Sequence, residues 1–413
     1  MGSRERATAL LLALAAIALA AGCGSSEESQ PRMLGTRSVY TGMPLSPGSD
    51  PAGRDIVDAE RLALAEREGR AGDYRVRLVV RSTSDATGAP SLDQATLAAR
   101  EAARSNLSLA FIGAYTSSES AEVAPILNRA GLLQVTPTST ASALTAVVPG
   151  TFRPVARIAP TGLRTLVRLA PSDAIQAKAV VAYMREETVE RIVIADDGGL
   201  YGNGLASGVA SDARKGGIRV VGRIGISSPS PAAAARRAAS LKADALFVAA
   251  NSSPATLEFM QRFARTDPEA KIFLPDGLSE RPSLLALGDA QNRTYVTSFA
   301  LPASYYGSRG VRFIDRFRDR YRRDPSPFAL YGYEAMSLVL DAIADLPSGA
   351  GLNLQGQRRF VVNQALRATD RASVIGSYSI TPTGDVSTDL YGAFRVEGGR
   401  LARGRGVTVE STR

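Results

Sequence analysis

The sequence predicts an α/β fold made of two doubly wound lobes, each organised around a parallel central sheet. Short apolar runs typical of strands alternate with helical segments along most of the chain, which indicates parallel strands joined by right-handed crossovers. The alternation starts again near Arg168, so it occurs twice. The chain has 413 residues, of which 45% are hydrophobic, and this is enough to bury two cores of ordinary size.

The N-terminal segment has the features of an export signal. Two arginines precede an apolar run from Ala7 to Ala21, which is too short for an ordinary membrane span. The only cysteine, Cys23, follows small residues, where a bacterial lipobox places its lipidated cysteine. We therefore predict a lipoprotein signal peptide over residues 1–23, with lipid on Cys23, and a polar, flexible tether over residues 24–36.

The first lobe begins with a strand, a loop and a helix. A strand is predicted at Ser38–Thr41, followed by a loop rich in proline and glycine at Gly42–Gly53 and a helix at Arg54–Glu68. A second strand at Tyr74–Arg81 and a second helix at Leu92–Arg104 continue the pattern. This order of elements predicts neighbouring parallel strands.

Two hydroxyl-rich loops follow the next two strands. The strand Leu109–Gly113 is followed by Thr116–Ser118, whose hydroxyls are typical of a helix cap, with Glu119 in the first turn. The strand Leu132–Val135 is followed by the loop Thr136–Thr140. In an open α/β sheet such loops lie in the ligand crevice, where free amides at a helix N-terminus favour an anion. Serine and threonine also cap helices that bind nothing, but two such loops together favour a site for a small carboxylate.

The second lobe repeats the alternation. The first crossing between lobes is predicted near Arg168, and the next helix, Ala174–Met184, is capped by Ser172 or Asp173. Strands are predicted at Arg191–Ala195, Arg219–Ile224, Ala245–Ala250 and Lys271–Leu274, with helices at Gly204–Lys215, Ala232–Leu241 and Ala255–Arg265.

The rest of the chain continues the alternation of strands and helices. A strand is predicted at Thr294–Phe299, followed by helices at Val311–Tyr321 and Ala329–Leu346.

Composition excludes several kinds of mechanism. The chain has no histidine and one cysteine, so Ser-His-Asp catalysis, Cys-His catalysis and zinc sites with His or Cys ligands are excluded. The net charge of +9 is carried almost wholly by arginine, and in an exported protein it indicates solubility or an anionic cell surface rather than nucleic acid. The arginine-dense segment Arg312–Arg323 has aromatic residues at helical spacing, which predicts a solvated helix face over a buried one.

A glycine-rich loop, Asp196–Gly208, follows the first strand of the second lobe. Its glycine spacing does not match a dinucleotide-binding loop, and Asp196 and Asp197 would repel a pyrophosphate. The loop is therefore not expected to bind a nucleotide.

Nearly all of the chain after residue 36 resembles the leucine/isoleucine/valine-binding proteins, type I periplasmic binding proteins that serve ABC importers. The resemblance rests on the two hydroxyl loops, on Tyr201-Gly202 in the glycine-rich loop, on Asp276 at a strand end and on the segment Tyr331–Ala335. It implies two Rossmann-like lobes joined by a three-strand hinge, with no cofactor and no metal. After Thr294–Phe299 the chain would cross back to the first lobe, and a third crossing would follow at Tyr391–Val396. The first lobe would then comprise residues 37–167 plus 299–391, and the second lobe residues 168–298 plus 392–408. Three strands joining two lobes would let the molecule bend without unfolding. The loop Gly42–Gly53 stands where the family has a ligand-side loop, although it could equally be an ordinary turn.

The resemblance also implies a ligand site between the lobes. Ser117, Ser139 and Thr140 would hold an α-carboxylate together with helix amides, and Asp276 would hold the ammonium group from the other lobe. Asp276 could instead be the first residue of an Asx turn before glycine. The other residues expected to line the pocket are Tyr201, Tyr115, Asn251, Phe328 and Tyr331.

The expected specificity departs from that of the leucine binders. The chain has no tryptophan, and the loop that contains Asn251 is small and polar where the family commonly has tyrosine. A pocket with fewer aromatic walls is roomier and wetter, so a larger or more polar ligand than leucine is predicted.

The implied function is that of a solute-binding lipoprotein, not an enzyme, exported to the periplasm or the outer face of the cell membrane. It would bind an amino acid or a related small molecule and deliver it to an ABC permease and ATPase complex. A ligand-binding sensory or regulatory receptor subunit of the same fold is the alternative, because only the membrane partner would differ. No nucleophile and base pair that would indicate an enzyme is visible.

Overall fold

Two large sheets organise the chain in the computed structural model, which describes residues 33–147, 155–348 and 351–408. The expected signal peptide over residues 1–23, the lipidated Cys23 and residues 24–32 of the tether lie outside the described residues. So do residues 148–154, in the connection that precedes Arg168.

The described chain contains fifteen strands. In chain order they are β1 (Gly35–Met43), β2 (Arg70–Ala71), β3 (Tyr74–Ser82), β4 (Ser108–Ile112), β5 (Leu133–Thr136), β6 (Leu166–Arg168), β7 (Arg191–Asp196), β8 (Arg219–Gly225), β9 (Ala245–Ala249), β10 (Lys271–Leu274), β11 (Thr294–Ser298), β12 (Arg371–Ser373), β13 (Gly376–Tyr378), β14 (Leu390–Glu397) and β15 (Arg400–Thr408).

The described residues also form twelve α-helices. In chain order they are α1 (Pro51–Ala65), α2 (Leu92–Arg104), α3 (Ser117–Arg129), α4 (Val155–Ile158), α5 (Asp173–Glu186), α6 (Leu200–Lys215), α7 (Pro231–Ser240), α8 (Pro254–Thr266), α9 (Arg281–Leu285), α10 (Gly307–Tyr321), α11 (Ala329–Ala344) and α12 (Leu354–Leu366).

Each lobe has one of the two large sheets. The first has six strands in the order β2-β3-β1-β4-β5-β6, and the second has seven in the order β15-β14-β11-β10-β9-β7-β8. Strands β1, β3, β4, β5 and β6 are mutually parallel, as are β7 to β11. Strand β2 pairs antiparallel with β3, and β14 pairs antiparallel with β11 and β15. The α/β fold class with two parallel-sheet lobes is confirmed.

The helices cover the sheets with apolar faces and begin at side-chain caps. Asp50, Ser91, Thr116 and Ser172 each accept a hydrogen bond from a backbone N–H in the first turn of the helix that follows. Such caps satisfy donors that a helix leaves unpaired. Strand β4, which carries the first hydroxyl loop, is buried along its whole length.

Helix α11 packs directly on α1 although it follows the second lobe in sequence. A Cβ atom added to Gly332 would lie 2.7 Å from the Ile56 carbonyl oxygen, so glycine permits this close approach. Helix α5, by contrast, follows β6 but contacts the second sheet, where Gln176 Nε2 donates to the Thr297 carbonyl oxygen at 3.2 Å. The chain therefore passes between the lobes after β6, after β11 and before β14.

Helix α6 begins four residues earlier than the sequence suggested. It starts at Leu200, so Tyr201 lies in its first turn and not in an extended glycine-rich loop. The first turn of this helix lies close to strand β9. A Cβ atom at Gly202 would lie only 2.4 Å from the Ala249 carbonyl oxygen, so glycine here permits packing of the helix on the strand.

Candidate ligand-binding cleft

The first hydroxyl loop is fixed by a capping box. The Thr116 hydroxyl accepts a hydrogen bond from Glu119 N at 3.3 Å, and the Glu119 carboxylate accepts one from Thr116 N at 2.9 Å. Ser117 is the first helical residue, and only 4% of it is exposed. Its hydroxyl oxygen accepts a hydrogen bond from Ala141 N at 3.1 Å, so it ties this loop to the second one.

The second hydroxyl loop packs against the first. Ser139 is fully buried, and its hydroxyl lies 2.8 Å from that of Ser120 and 3.3 Å from the Ala114 carbonyl oxygen. Thr140, also buried, accepts a hydrogen bond from Asp173 N on its carbonyl oxygen at 2.9 Å. The structure thus brings Ser117, Ser139 and Thr140 together at neighbouring strand ends, with the first two hydroxyls already hydrogen-bonded within the protein.

Arg168 fixes the second hydroxyl loop through hydrogen bonds. It is 1% exposed, and its guanidinium donates to the carbonyl oxygens of Thr140 at 2.7 Å and Ala141 at 2.9 Å. It also donates to the Thr145 hydroxyl at 2.8 Å and to the Asp385 carboxylate at 2.7 Å. Because its donors are used in this way, Arg168 has a positioning role and is not a free cation for a ligand.

Asp276 and Tyr201 meet in the second lobe. Asp276 is 5% exposed, and its Oδ1 accepts a hydrogen bond from the Tyr201 hydroxyl at 2.9 Å. Burial raises the pKa of Asp276 to about 6, against a smaller lowering by the Tyr201 hydroxyl and the Gln176 amide. Because the buried Asp276 carboxylate has lost most of its hydration, a bound cation would stabilise its charged form.

Asp173 is a functional candidate that the sequence did not single out. It is 2% exposed, and neither of its carboxylate oxygens accepts a hydrogen bond. Burial, and then the charge of Asp276, raise the pKa of Asp173 to about 8, with the nearby Thr140 hydroxyl and Arg168 offsetting part of the shift. A buried carboxylate without donors is costly, so this pair of acids is suited to a positively charged group.

The sequence contained one signal for Asp173. Ser172 and Asp173 both qualified as the cap of helix α5, and in the structure the Ser172 hydroxyl is the cap, accepting from Ala174 N at 3.3 Å. Asp173 is therefore not needed as the cap of helix α5. Its carboxylate can serve another purpose, such as contact with a ligand.

The aromatic residues proposed for the pocket lie at the junction of the lobes. Tyr331 donates its hydroxyl to the Phe299 carbonyl oxygen at 2.9 Å, and its ring meets the Phe299 ring edge-on at 4.9 Å. Phe328 also contacts Phe299, with ring centroids 5.5 Å apart. Tyr391, from the third crossing, lies on the other side of Phe299 at 6.4 Å. Phe299 and Tyr391 therefore belong to this cluster, although the sequence pointed to them only as hinge positions.

Tyr115 and Asn251 lie at opposite sides of the same region. The Tyr115 hydroxyl donates to the Asp50 carboxylate at 3.0 Å in the first lobe. Asn251 is half-buried in the second lobe, where its backbone N–H donates to the Asp197 carboxylate at 3.0 Å. Its side chain lies beside Gly277, since a Cβ atom there would be 3.0 Å from Asn251 Oδ1.

A further acidic residue connects the lobes. Glu280 follows β10 in the second lobe, and its Oε1 accepts a hydrogen bond at 2.9 Å from the hydroxyl of Ser326, which is tied through its N–H to Asp55 of helix α1. Burial, and then the charge of Asp50, raise the pKa of Glu280 to about 7. The pKa of Asp50 is also raised by burial. The cleft is therefore lined by acidic groups from both lobes.

Two further observations concern metals and membranes. Within the residues that the structure describes, no group of three or more His, Cys, Asp or Glu side chains is arranged to hold a metal ion. In the same part of the chain, no helix has the length and apolar character needed to cross a membrane.

Comparison with solved structures shows the same architecture in other proteins. A leucine-binding protein from Thermotoga maritima MSB8 superimposes with a TM-score of 0.76 at 19% identity, covering 90% of this chain and 99% of that one. A substrate-binding protein of an ABC transporter from Desulfitobacterium hafniense, in complex with Leu, gives 0.70 at 22% identity, with 90% and 100% covered. A solute-binding protein from R. palustris in complex with benzoate gives 0.73 at 19%, with 91% and 98% covered.

These similarities establish the fold, and a family model establishes the family. No curated protein sequence matches the chain. The family model described as periplasmic binding protein matches residues 43–400, which is most of the chain and includes both lobes and all the cleft residues described above. The chain therefore belongs to the periplasmic binding protein family, whose structural relatives include substrate-binding proteins of ABC transporters.

Proposed function

We propose that this protein is an extracytoplasmic lipoprotein that binds a small solute carrying an ammonium group and delivers it to an ABC permease and ATPase complex. One observation carries the proposal. Asp173 has a buried carboxylate with no donor in hydrogen-bond geometry, the nearby Thr140 hydroxyl and Arg168 only partly offset its burial, and it lies close enough to Asp276 for that residue's charge to raise its pKa. A primary ammonium brings three donors and one positive charge, which would satisfy both acids.

The other end of such a ligand would face the two hydroxyl loops. Ser117 lies at the N-terminus of helix α3, where backbone N–H groups and the helix dipole favour a carboxylate. Asp173, which follows the first crossing, and Asp276 belong to the second lobe, whereas the hydroxyl loops belong to the first. A zwitterion would therefore gain its full set of contacts only when the lobes are closed, and this difference would drive closure. No reaction of the ligand is needed.

The lining favours a ligand that is larger or more polar than leucine. Glu280 and Asp50 add acidic groups, and Asn251 is polar where an aromatic residue would enclose an isobutyl group. Incomplete enclosure would forfeit part of the roughly 1.5–3 kcal/mol that full burial of a leucine side chain provides. An amino acid with a polar side chain would keep its contacts with these groups.

A ligand screen followed by calorimetry tests this proposal. A bound solute raises the melting temperature by mass action, so amino acids, amides and aromatic carboxylates can be ranked in one assay. With the best amino acid, Asp276→Ala should weaken binding by about 2–5 kcal/mol, the range for removing one partner of a buried charged pair. Ser117→Ala should cost less, roughly 0.5–3 kcal/mol, because backbone amides remain.

The screen also defines the contrary outcome. One relative of this fold was solved with benzoate, which has no ammonium group. If such a carboxylate bound best, and Asp276→Ala left its affinity unchanged, the ammonium assignment would be wrong. Submicromolar leucine binding with no tighter competitor would contradict the predicted specificity.

Membrane attachment is proposed through Cys23 and is testable separately. Acyl chains supply the membrane affinity of a lipoprotein, so Cys23→Ser should leave the protein unprocessed or released into the medium. Metabolic labelling with a fatty acid and fractionation of the cells measure both properties. Equal labelling of the variant and the parent would show that Cys23 is not the modified residue.

A further inference from the structure

A polar cavity lies on the first lobe, away from the cleft. It has a volume of about 380 Å³ and is lined by five arginines, Arg67, Arg309, Arg312, Arg316 and Arg371, from the end of helix α1, helix α10 and strand β12. We call it the arginine cavity. Helix α11 contributes Tyr333, Glu334, Ser337 and Asp341 to the lining, and none of the lining residues is one of the cleft residues described above. The cavity is therefore distinct from the cleft.

The arginine cavity has more positive than negative charge. Two carboxylates line it, Glu334 and Asp341, and both are engaged: Arg371 contacts Glu334 at 2.5 Å and Asp341 at 2.6 Å, while Arg67 contacts Asp341 at 2.6 Å. Arg316 pairs with Glu66 at 3.3 Å. Five guanidinium groups thus face three carboxylates, which leaves an excess of two positive charges.

The two arginines without acidic partners are Arg309 and Arg312. Arg309 donates to the Ala372 carbonyl oxygen at 2.9 Å, and neither residue forms an ion pair within the described part of the chain. With Arg316 they lie on one face of helix α10, at spacings of three and four residues. Arg316 is held over the Tyr333 ring at 5.4 Å. The excess positive charge is therefore concentrated on helix α10, on the face where Arg316 is held in place by the Tyr333 ring.

We propose that the arginine cavity binds a phosphate-type anion, either free phosphate or a phosphorylated solute, or the headgroup of an anionic phospholipid. Each guanidinium can donate two parallel hydrogen bonds to a pair of phosphate oxygens, and an excess of two positive charges is sufficient for a phosphate that carries one or two negative charges. A volume of about 380 Å³ lies within the range of small-molecule sites, which begins at roughly 300 Å³. The proposal does not depend on the ligand of the cleft.

Thermal denaturation in inorganic phosphate and in chloride, at matched ionic strength, tests the site. Phosphate should raise the melting temperature of the parent protein above the value in chloride. The double variant Arg309→Gln/Arg312→Gln should lose this difference. The matched control is Arg318→Gln/Arg320→Gln, which removes the same charge from exposed positions of the same helix outside the cavity, and it should keep the difference.

Vesicle sedimentation distinguishes the two sources of phosphate. The parent and both double variants, all produced without residues 1–22 and with Cys23→Ser, would be mixed with vesicles of phosphatidylcholine alone or with phosphatidylglycerol. A loss of phosphatidylglycerol binding in the cavity variant but not in the control would identify a headgroup site, whereas a phosphate response alone would identify a site for a soluble anion. Equal behaviour of both variants in both assays, or no response of the parent, would overturn the proposal.

Discussion

At the scale of single residues, Asp173 is the most informative side chain of the cleft. Its carboxylate is buried without donors, and its pKa is raised to about 8, first by burial and then by the charge of Asp276. In the empty cleft it is therefore protonated at pH 7. A ligand ammonium would bind best to the ionised form, so binding would displace this proton.

Affinity for an ammonium-bearing solute should therefore increase as pH rises from 6 to 8. If one proton leaves Asp173 on binding, the dissociation constant should fall by up to about tenfold per pH unit below pH 8. Calorimetry at several pH values and constant ionic strength measures this slope. Asp173→Asn should bind more weakly and lose most of the slope, and a slope that stays the same in this variant would contradict the assignment.

The stability of the empty protein should change in the opposite direction. A carboxyl whose pKa is raised by folding stabilises the folded state below its unfolded pKa of about 4, and this contribution is lost as pH rises through the folded value of about 8. The melting temperature without ligand should therefore fall between pH 6 and pH 9. Asp173→Asn serves as the control, because it should remove much of that fall.

At the scale of elements, most strands and helices could be predicted from the sequence because their apolar residues repeat at the spacing of a buried face. Helix α12 could not. Its inner face carries Arg358, which is 2% exposed and donates to the Ser108 and Ala130 carbonyl oxygens at 3.0 and 2.9 Å. A buried arginine that serves strand and helix ends is indistinguishable, in sequence, from a solvated one.

The short strands and the edge strand β15 could not be predicted from the spacing of apolar residues either. Strands β2, β12 and β13 have two or three residues, too few for an alternation to appear. Strand β15 is rich in arginine and glycine, and it is a strand because β14 pairs with it. In each case pairing with the neighbouring strand determines the structure, and such pairing does not appear as an alternation of apolar residues within the strand itself.

The candidate cleft also contains some features that could be predicted from the sequence and others that could not. The two hydroxyl loops and Asp276 could be identified because strand ends and caps are local features. Glu280, Phe299 and Tyr391 could not be placed together, since their proximity depends on chain crossings that are more than 90 residues apart. The sequence alone therefore indicated the kind of site but not its acidic character.

At the scale of the whole molecule, the hydrogen bond from Ser326 to Glu280 joins the lobes across the cleft. Burial, and then the charge of Asp50, raise the pKa of Glu280 to about 7, so closing the lobes on an ionised Glu280 would bring like charges near each other out of water. Opening would return these groups to water. The balance between the open and closed forms should therefore depend on the charge of Glu280.

Glu280→Gln should favour the closed form. The amide oxygen can still accept the hydrogen bond from Ser326, while the negative charge is gone, so solute binding at pH 8 should be roughly 3–10-fold tighter, about 1 kcal/mol. At pH 6 the effect should be small, because Glu280 is already protonated there. Calorimetry at the two pH values, with radius-of-gyration measurements by X-ray scattering, tests both parts.

An exposed carboxylate of the same lobe supplies the comparison. Glu269→Gln makes the same change of net charge at an exposed position. It should leave affinity unchanged at both pH values. Weaker binding in Glu280→Gln, or an equal gain in both variants, would show that Glu280 does not oppose closure.

The order in which the chain builds its two sheets has a consequence for export. The first sheet is complete at Arg168, but helices α11 and α12, which pack on it, come only after residue 328. The second sheet is complete only when strands β14 and β15 have been added, and β15 ends at Thr408. A chain that leaves the cytoplasm with its N-terminus first would thus expose apolar surface until translocation is nearly finished, and no single cut in the gene would separate two complete lobes.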